Sequence, residues 1–186
     1  MRNLSNCPQY IKIKCFQTLI RPTLEYASPV WDPHHQVDIN AIEKVQKRAA
    51  RFVTGNYKFE SGNSEKNRKD LGWDSLEERR QQIKLTTFHR SRLKLLDVPT
   101  DHLKINPRQS RRQDGPCYTR LTSNVDSHKF SFYPSTTLLW NCLPLSLKNT
   151  YDIDIFSKCI KTYDLTALKY SSYYYNTAQP RMSVFN

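Results

Sequence analysis

Glycine is scarce, with four in 186 residues against ten prolines. A sandwich or barrel of short strands needs many tight turns, so this composition argues against an all-β fold. No run of about 18 apolar residues occurs, and that excludes a membrane-spanning helix. The opening residues, MRNLSNCPQY, lack the apolar core of a signal peptide. The five cysteines (Cys7, Cys15, Cys117, Cys142 and Cys159) are odd in number and never spaced as CxxC. They are neither a disulfide framework nor a zinc motif, and they suit a reducing compartment. There is no nucleophile elbow and no glycine loop to cradle a phosphate. These absences predict a soluble, intracellular chain, in nucleus or cytoplasm, with no membrane partner. Apolar residues make up 38%, below the roughly 45–50% of ordinary domains, so the core should be small or shared.

What is present in excess is positive charge, +12 overall. It is concentrated: residues 41–112 hold 18 Lys+Arg against 9 Asp+Glu. A block of this kind meets a polyanion, and nucleic acid is the expected one. A solvated cationic surface without a partner is the plainer alternative.

Periodicity supplies the elements. Ile11, Cys15, Phe16, Leu19 and Ile20 predict an amphipathic helix. Pro22 kinks or ends it, and Leu24–Tyr26 resumes it for a turn. Pro29 and Pro33 predict extended or turn geometry around Trp31, which is expected to plug the corner. Over 40–55, Asn40 and Glu43 have capping-box spacing, Ile42, Val45, Ala49, Phe52 and Val53 form the apolar stripe, and Gly55 is the C-terminal left-handed residue. Residues 58–70 are polar and poorly periodic. A second strong helix is predicted from Ser75 to Leu96, with Ser75 and Glu78 as its capping box and Pro99 closing it. Residues 104–124 read as a basic arm. Phe130, Phe132 and Tyr133 alternate as a short strand before Pro134, Ser135–Cys142 reads as a short helix, and Ile153, Phe156, Ile160 and Tyr163 are spaced for a last helix. The adjacent His34 and His35 diverge too much to chelate one metal, and they read as connector.

Seven pieces of this sequence, in order, carry a family resemblance: RNLSNCP, LIRPTLEYASPVWDP, IEKVQKRAARFV, LGWDSLEERR, LDVP, FSFYPSTTLLWNCLP and IFSKCI. Over residues 1 to about 163 the chain resembles the C-terminal portion of jockey-like non-LTR (LINE-type) retrotransposon reverse transcriptases. The resemblance implies a mainly α fold. It would comprise a helical thumb-like bundle over 1–100 and a C-terminal region over 101–163, with a basic arm, a short β/aromatic segment and a C-terminal helix. Beyond the resemblance, the Tyr/Ser-rich, aperiodic end of the chain reads as a disordered tail over 164–186. The resemblance also implies a parent RNA-directed DNA polymerase that uses Mg2+ held by paired aspartates. No two aspartates are adjacent here, so this chain is expected to begin after the palm, to hold no cofactor and to be inactive alone. Its implied partners are RNA or DNA, as template–primer duplex, and the palm, fingers and endonuclease domains of the parent. The sequence departs from the family at Ser64, Asn67 and Arg68, where apolar residues would pin a helix to its neighbours, and at Ser135, where arginine is usual.

A thumb holds duplex without reading its sequence, so it needs cations aimed at phosphates. The candidates are Lys44, Lys47, Arg48 and Arg51 on the first strong helix and Arg79, Arg80 and Lys84 on the second. Arg108, Arg111 and Arg112 in the arm join them, near Tyr118 and Arg120. The competing readings are solubility and pairing with Glu43, Glu77 and Glu78, or a decayed open reading frame without retained function. Phe130, Phe132, Tyr133 and Trp140 are expected to be core, with a base-stacking platform as the alternative.

Overall fold

The computed structural model describes residues 4–58, 60, 62–107, 115, 117–119 and 121–165. The chain is mainly helical. It divides into two compact units, Met1–Gln81 and Gln82–Asn186, with the boundary inside a helix.

The first unit opens with α1 (Gln9–Cys15), which widens into a π-helical turn over Phe16–Ile20 and returns to α geometry in α2 (Arg21–Glu25). Pro22 is the cause: it has no N–H, and its ring crowds the carbonyl four residues back. Threonine hydroxyls take up the neighbouring carbonyls, Thr18 donating to Lys14 O and Thr23 to Leu19 O. Pro29 sits in the first turn of α3 (Ser28–Trp31), where its missing N–H has no intrahelical acceptor to lose. The elbow, expected as extended or turn geometry, contains one helical turn. Trp31 is not a buried plug: it stays 39% exposed, its indole N–H donating to Tyr26 O.

Helix α4 (Gln36–Thr54) has His35 at its N-cap and so starts five residues earlier than the Asn40 capping box predicts. Asn40 is interior to the helix and accepts from Gln36. The buried face is also rotated from the expected stripe: Ile39, Glu43, Gln46, Ala50 and Val53 point inward and Val45 outward. Polar residues occupy that face because each closes another element's backbone. Gln46 Nε2 donates to Asp74 O at 3.0 Å, and a Glu43 oxygen accepts from Glu77 N at 2.8 Å. Gly55 is left-handed, as predicted, at φ 68°.

The polar stretch after it forms α5 (Asn63–Asp70), which the sequence pattern does not show. Three asparagines hold it. Asn56 Nδ2 donates to Asn63 Oδ1 (2.9 Å) and Asn67 Oδ1 (3.1 Å), Asn63 donates back to Asn56 Oδ1, and Asn67 donates to Asn56 O. Arg68 donates to Trp73 O and to Glu65. Asn67 and Arg68 thus pin this helix by hydrogen bonds, at positions where the family resemblance implies apolar packing. Beneath lies a small core of Phe16, Ala49, Ala50, Val53 and Trp73, with the Phe16 and Trp73 rings stacked at 4.6 Å.

Helix α6 (Leu76–Arg92) carries the boundary between the units. Its predicted capping box is present: Ser75 N donates to Glu78 Oε2 and Glu78 N to Ser75 Oγ. The helix stops short of the predicted Leu96. Leu95 N bonds to Arg90 O and Lys94 N to Ser91 O, a Schellman closure with Lys94 left-handed at φ 55°.

The second unit packs Leu85 and Phe88 of α6 against Leu139, Trp140, Leu143, Leu147, Phe156, Ile160 and Leu165. These come from α8 (Phe132–Asn141), α9 (Leu145–Lys148), α10 (Ile153–Thr162) and adjoining turns; α7 (Asp126–Lys129) precedes them. No strand forms at the expected Phe130–Tyr133: Phe130 caps the end of α7, Ser131 precedes α8, and Phe132 and Tyr133 start α8, again because a proline, Pro134, is tolerated in a first helical turn. Trp140 is buried, and Phe132 and Tyr133 pack on the core. Among the described residues the only β pairing is an isolated bridge between Ile105 and Tyr118. Leu165 is buried; the rest of the predicted tail, 166–186, lies outside the described residues.

Candidate nucleic-acid interface

The α4 cations share one face because they recur at intervals of three and four residues. Lys44 and Arg48 are exposed, and Lys47 and Arg51 are half-buried. Lys47 Nζ lies 3.4 Å from Glu65 Oε1 on α5. Glu65 is held below its ordinary range by hydrogen bonds from Arg68 and Lys47, which outweigh its partial burial. This exposed pair is energetically minor, but it joins two cationic rows. Lys69 lies one turn along α5 from Glu65, and both Lys66 and Lys69 are exposed. The sequence pattern misses these two lysines, since no periodicity marks α5 as a helix.

The α6 cations are placed differently. Arg79 is bound to Glu25 through two nitrogens of its guanidinium, Nη2 to Oε2 at 3.0 Å and Nε to Oε1. The hydrogen bond to Glu25 raises the Arg79 pKa. Arg80 is 0% exposed and donates from Nε to Asp32 Oδ1 at 2.7 Å, with its guanidinium 5.9 Å from the Trp31 ring centre. Lys84 is also buried, its Nζ donating to Ser135 Oγ at 3.3 Å. All three cations have acceptors inside the fold, so their charge is turned inward.

Arg21, unremarked in the sequence, lies 5.4 Å from both the Phe16 and Trp73 ring centres. Burial, then the charge of Arg79, lowers its pKa. Its guanidinium is packed on rings and is not a surface donor.

Arg108, Arg111, Arg112 and Arg120 of the arm lie outside the described residues. The arm's base is ordered: Asn106 N donates to Cys117 O and Thr119 N to Lys104 O, both at 2.7 Å. Tyr118 meets Phe88 edge-on at 5.6 Å, and burial raises its phenol pKa. It serves the core, not an outward stacking surface.

His34 and His35 are exposed, with ring centres 3.9 Å apart. Among the described residues no three His, Cys, Asp or Glu side chains converge to hold a metal, and no helix is long and apolar enough to cross a membrane. The α4–α5 surface presents Lys44, Arg48, Lys66 and Lys69 to solvent, with Lys47 and Arg51 half-buried beside them. Compared with family models, curated proteins and solved structures, the chain has no match.

Proposed function

We propose that this chain is a non-catalytic, nucleic-acid-binding piece of a LINE-type reverse transcriptase, corresponding to its thumb and the region after it. It grips the sugar-phosphate backbone of template–primer duplex, inside the cell, and works beside the palm and fingers of the parent polymerase. The observation that supports binding is the solvent-facing row of Lys44 and Arg48, flanked by Lys47 and Arg51, with Lys66 and Lys69 on the adjoining helix. The family assignment rests on the ordered sequence motifs.

The test is binding of an RNA–DNA hybrid by the full chain at several salt concentrations. A second sample carries Lys44→Gln, Lys47→Gln, Arg48→Gln and Arg51→Gln. Arg79 and Arg80 are left intact because they hold the fold. The expected result is salt-dependent binding whose log–log slope falls by about three to four in the variant, roughly one for each phosphate no longer neutralised. Binding with the same affinity and slope in both samples overturns the reading. A wild-type chain that ignores nucleic acid at low salt points to a decayed element's product without retained function.

A further inference from the structure

The second unit contains a buried thiol–amine pair that plays no part in the cationic surface. Cys117 is 1% exposed and Lys148, the last residue of α9, is 2% exposed. Lys148 Nζ lies 3.7 Å from Cys117 Sγ and donates to Asn141 O at 3.0 Å. Both residues are held from other directions. The Asn141 side chain pairs with the backbone beside Cys117, accepting from Tyr118 N and donating to Tyr118 O, each at 2.9 Å. The Lys148 carbonyl accepts from Arg92 Nη2 at 3.1 Å. A lysine normally keeps its ammonium in water; this one is fixed against a sulfur.

A thiol oxidised by a peroxide becomes a sulfenic acid, whose sulfur is open to attack by a neighbouring nitrogen or thiol. The geometry points to Cys117 and Lys148 as the partners of a peroxide-triggered sulfenamide cross-link, joining the base of the arm to α9. In the first step the thiol and hydrogen peroxide give sulfenic acid and water. In the second, the Lys148 ammonium gives one proton to solvent and the resulting amine attacks the sulfur. The S–N bond forms, the S–O bond breaks, and the oxygen leaves as water with the second amine proton. Sulfur has been oxidised and peroxide reduced. The competing nucleophile is Cys142, which lies within electrostatic reach of both groups. Burial raises its thiol pKa, which keeps it protonated and slow to attack.

The experiment treats the full chain with hydrogen peroxide, denatures it, caps free thiols with a maleimide and maps the tryptic peptides. The expected product is the Cys117 peptide joined to the one containing Lys148, lighter by two hydrogens, with cleavage after Lys148 abolished and Cys142 still capped. A thiol reductant restores both peptides. The product persists in Cys142→Ser and disappears in Cys117→Ser. A Cys117–Cys142 disulfide gives a different map, with Lys148 cleaved and Cys142 uncapped, and overturns the proposal. So does oxygen addition to Cys117 without a cross-link, or a Cys117 that peroxide leaves unchanged.

Discussion

Glu43, in the middle of α4, caps α6: its carboxylate accepts the backbone N–H of Glu77, thirty-four residues on, at 2.8 Å. The group is nearly buried, and burial raises its pKa despite that N–H and the nearby charge of Arg80. Because the folded pKa lies above the unfolded one, the native state holds the proton longer. Glu43 ionisation therefore takes stability away as pH rises through that window. Glu43→Ala is expected to lower stability by about 1–2 kcal/mol at neutral pH, the usual cost of a missing cap. Glu43→Gln keeps an acceptor and should lose less, with a flatter pH dependence. Urea midpoints between pH 4 and 8 decide it; equal losses for both variants would mean that the cap contributes nothing.

Asn67 supplies a second test. Were α5 a helix that had lost an apolar pin, Asn67→Leu would restore it. The structure predicts the reverse, since the leucine leaves Asn56 with an unmet amide donor and an unmet carbonyl inside the fold. The expected loss is about 1–3 kcal/mol, measurable by thermal or urea unfolding. A gain in stability would show that the asparagine network is not what holds α5.

Arg80 and Asp32 form a pair with side-chain exposures of 0% and 15%. Removing one partner strands the other's charge in a dry setting. Asp32→Ala is expected to cost about 3–5 kcal/mol, and a double substitution Asp32→Ala with Arg80→Met should recover part of that loss. If the single and double variants unfold alike, the pair is not energetically coupled.

His89 makes the second unit sensitive to acid. Its ring is stacked with Trp140 at 5.4 Å and Phe156 at 4.3 Å, and an Arg92 Nη2 lies 3.3 Å from Nδ1. Burial first, and then Arg92, push its pKa down to about 4 from 6.5. A proton taken up more readily by the unfolded chain means that stability is lost as pH falls from 6.5 towards 4, on the order of a few kcal/mol in all. Trp140 fluorescence during urea unfolding at each pH should show this slope, and His89→Phe should flatten it. A slope unchanged by the substitution would place the acid sensitivity elsewhere.

What can be read in the sequence is local. The Ser75–Glu78 capping box and the left-handed Gly55 depend on interactions within a turn. So does the Ile153–Phe156–Ile160 face of α10. Each appears in the structure where its pattern places it. Proline chemistry is legible only in part. Pro22 reads as a disruption, but a first-turn proline and a proline ending a strand look alike in sequence, and Pro29 and Pro134 are the former. The end of α6 is hidden because a lysine, not a glycine, takes the left-handed position.

The direction in which each charge points was decided by tertiary structure alone. Arg79, Arg80, Lys84 and the α4 cations look equivalent as a sequence of basic helical residues. Yet Arg79 meets Glu25 across 54 residues, Arg80 meets Asp32 across 48, and Lys84 meets Ser135 across 51, whereas Lys44 and Arg48 remain exposed. The buried face of α4 was likewise chosen by Glu77 and Asp74, whose backbone groups needed Glu43 and Gln46. Helical periodicity records which residues share a face. Whether that face is wet or dry depends on partners that the chain brings together only by folding, because a buried donor or charge is stable only where its acceptor has also been placed.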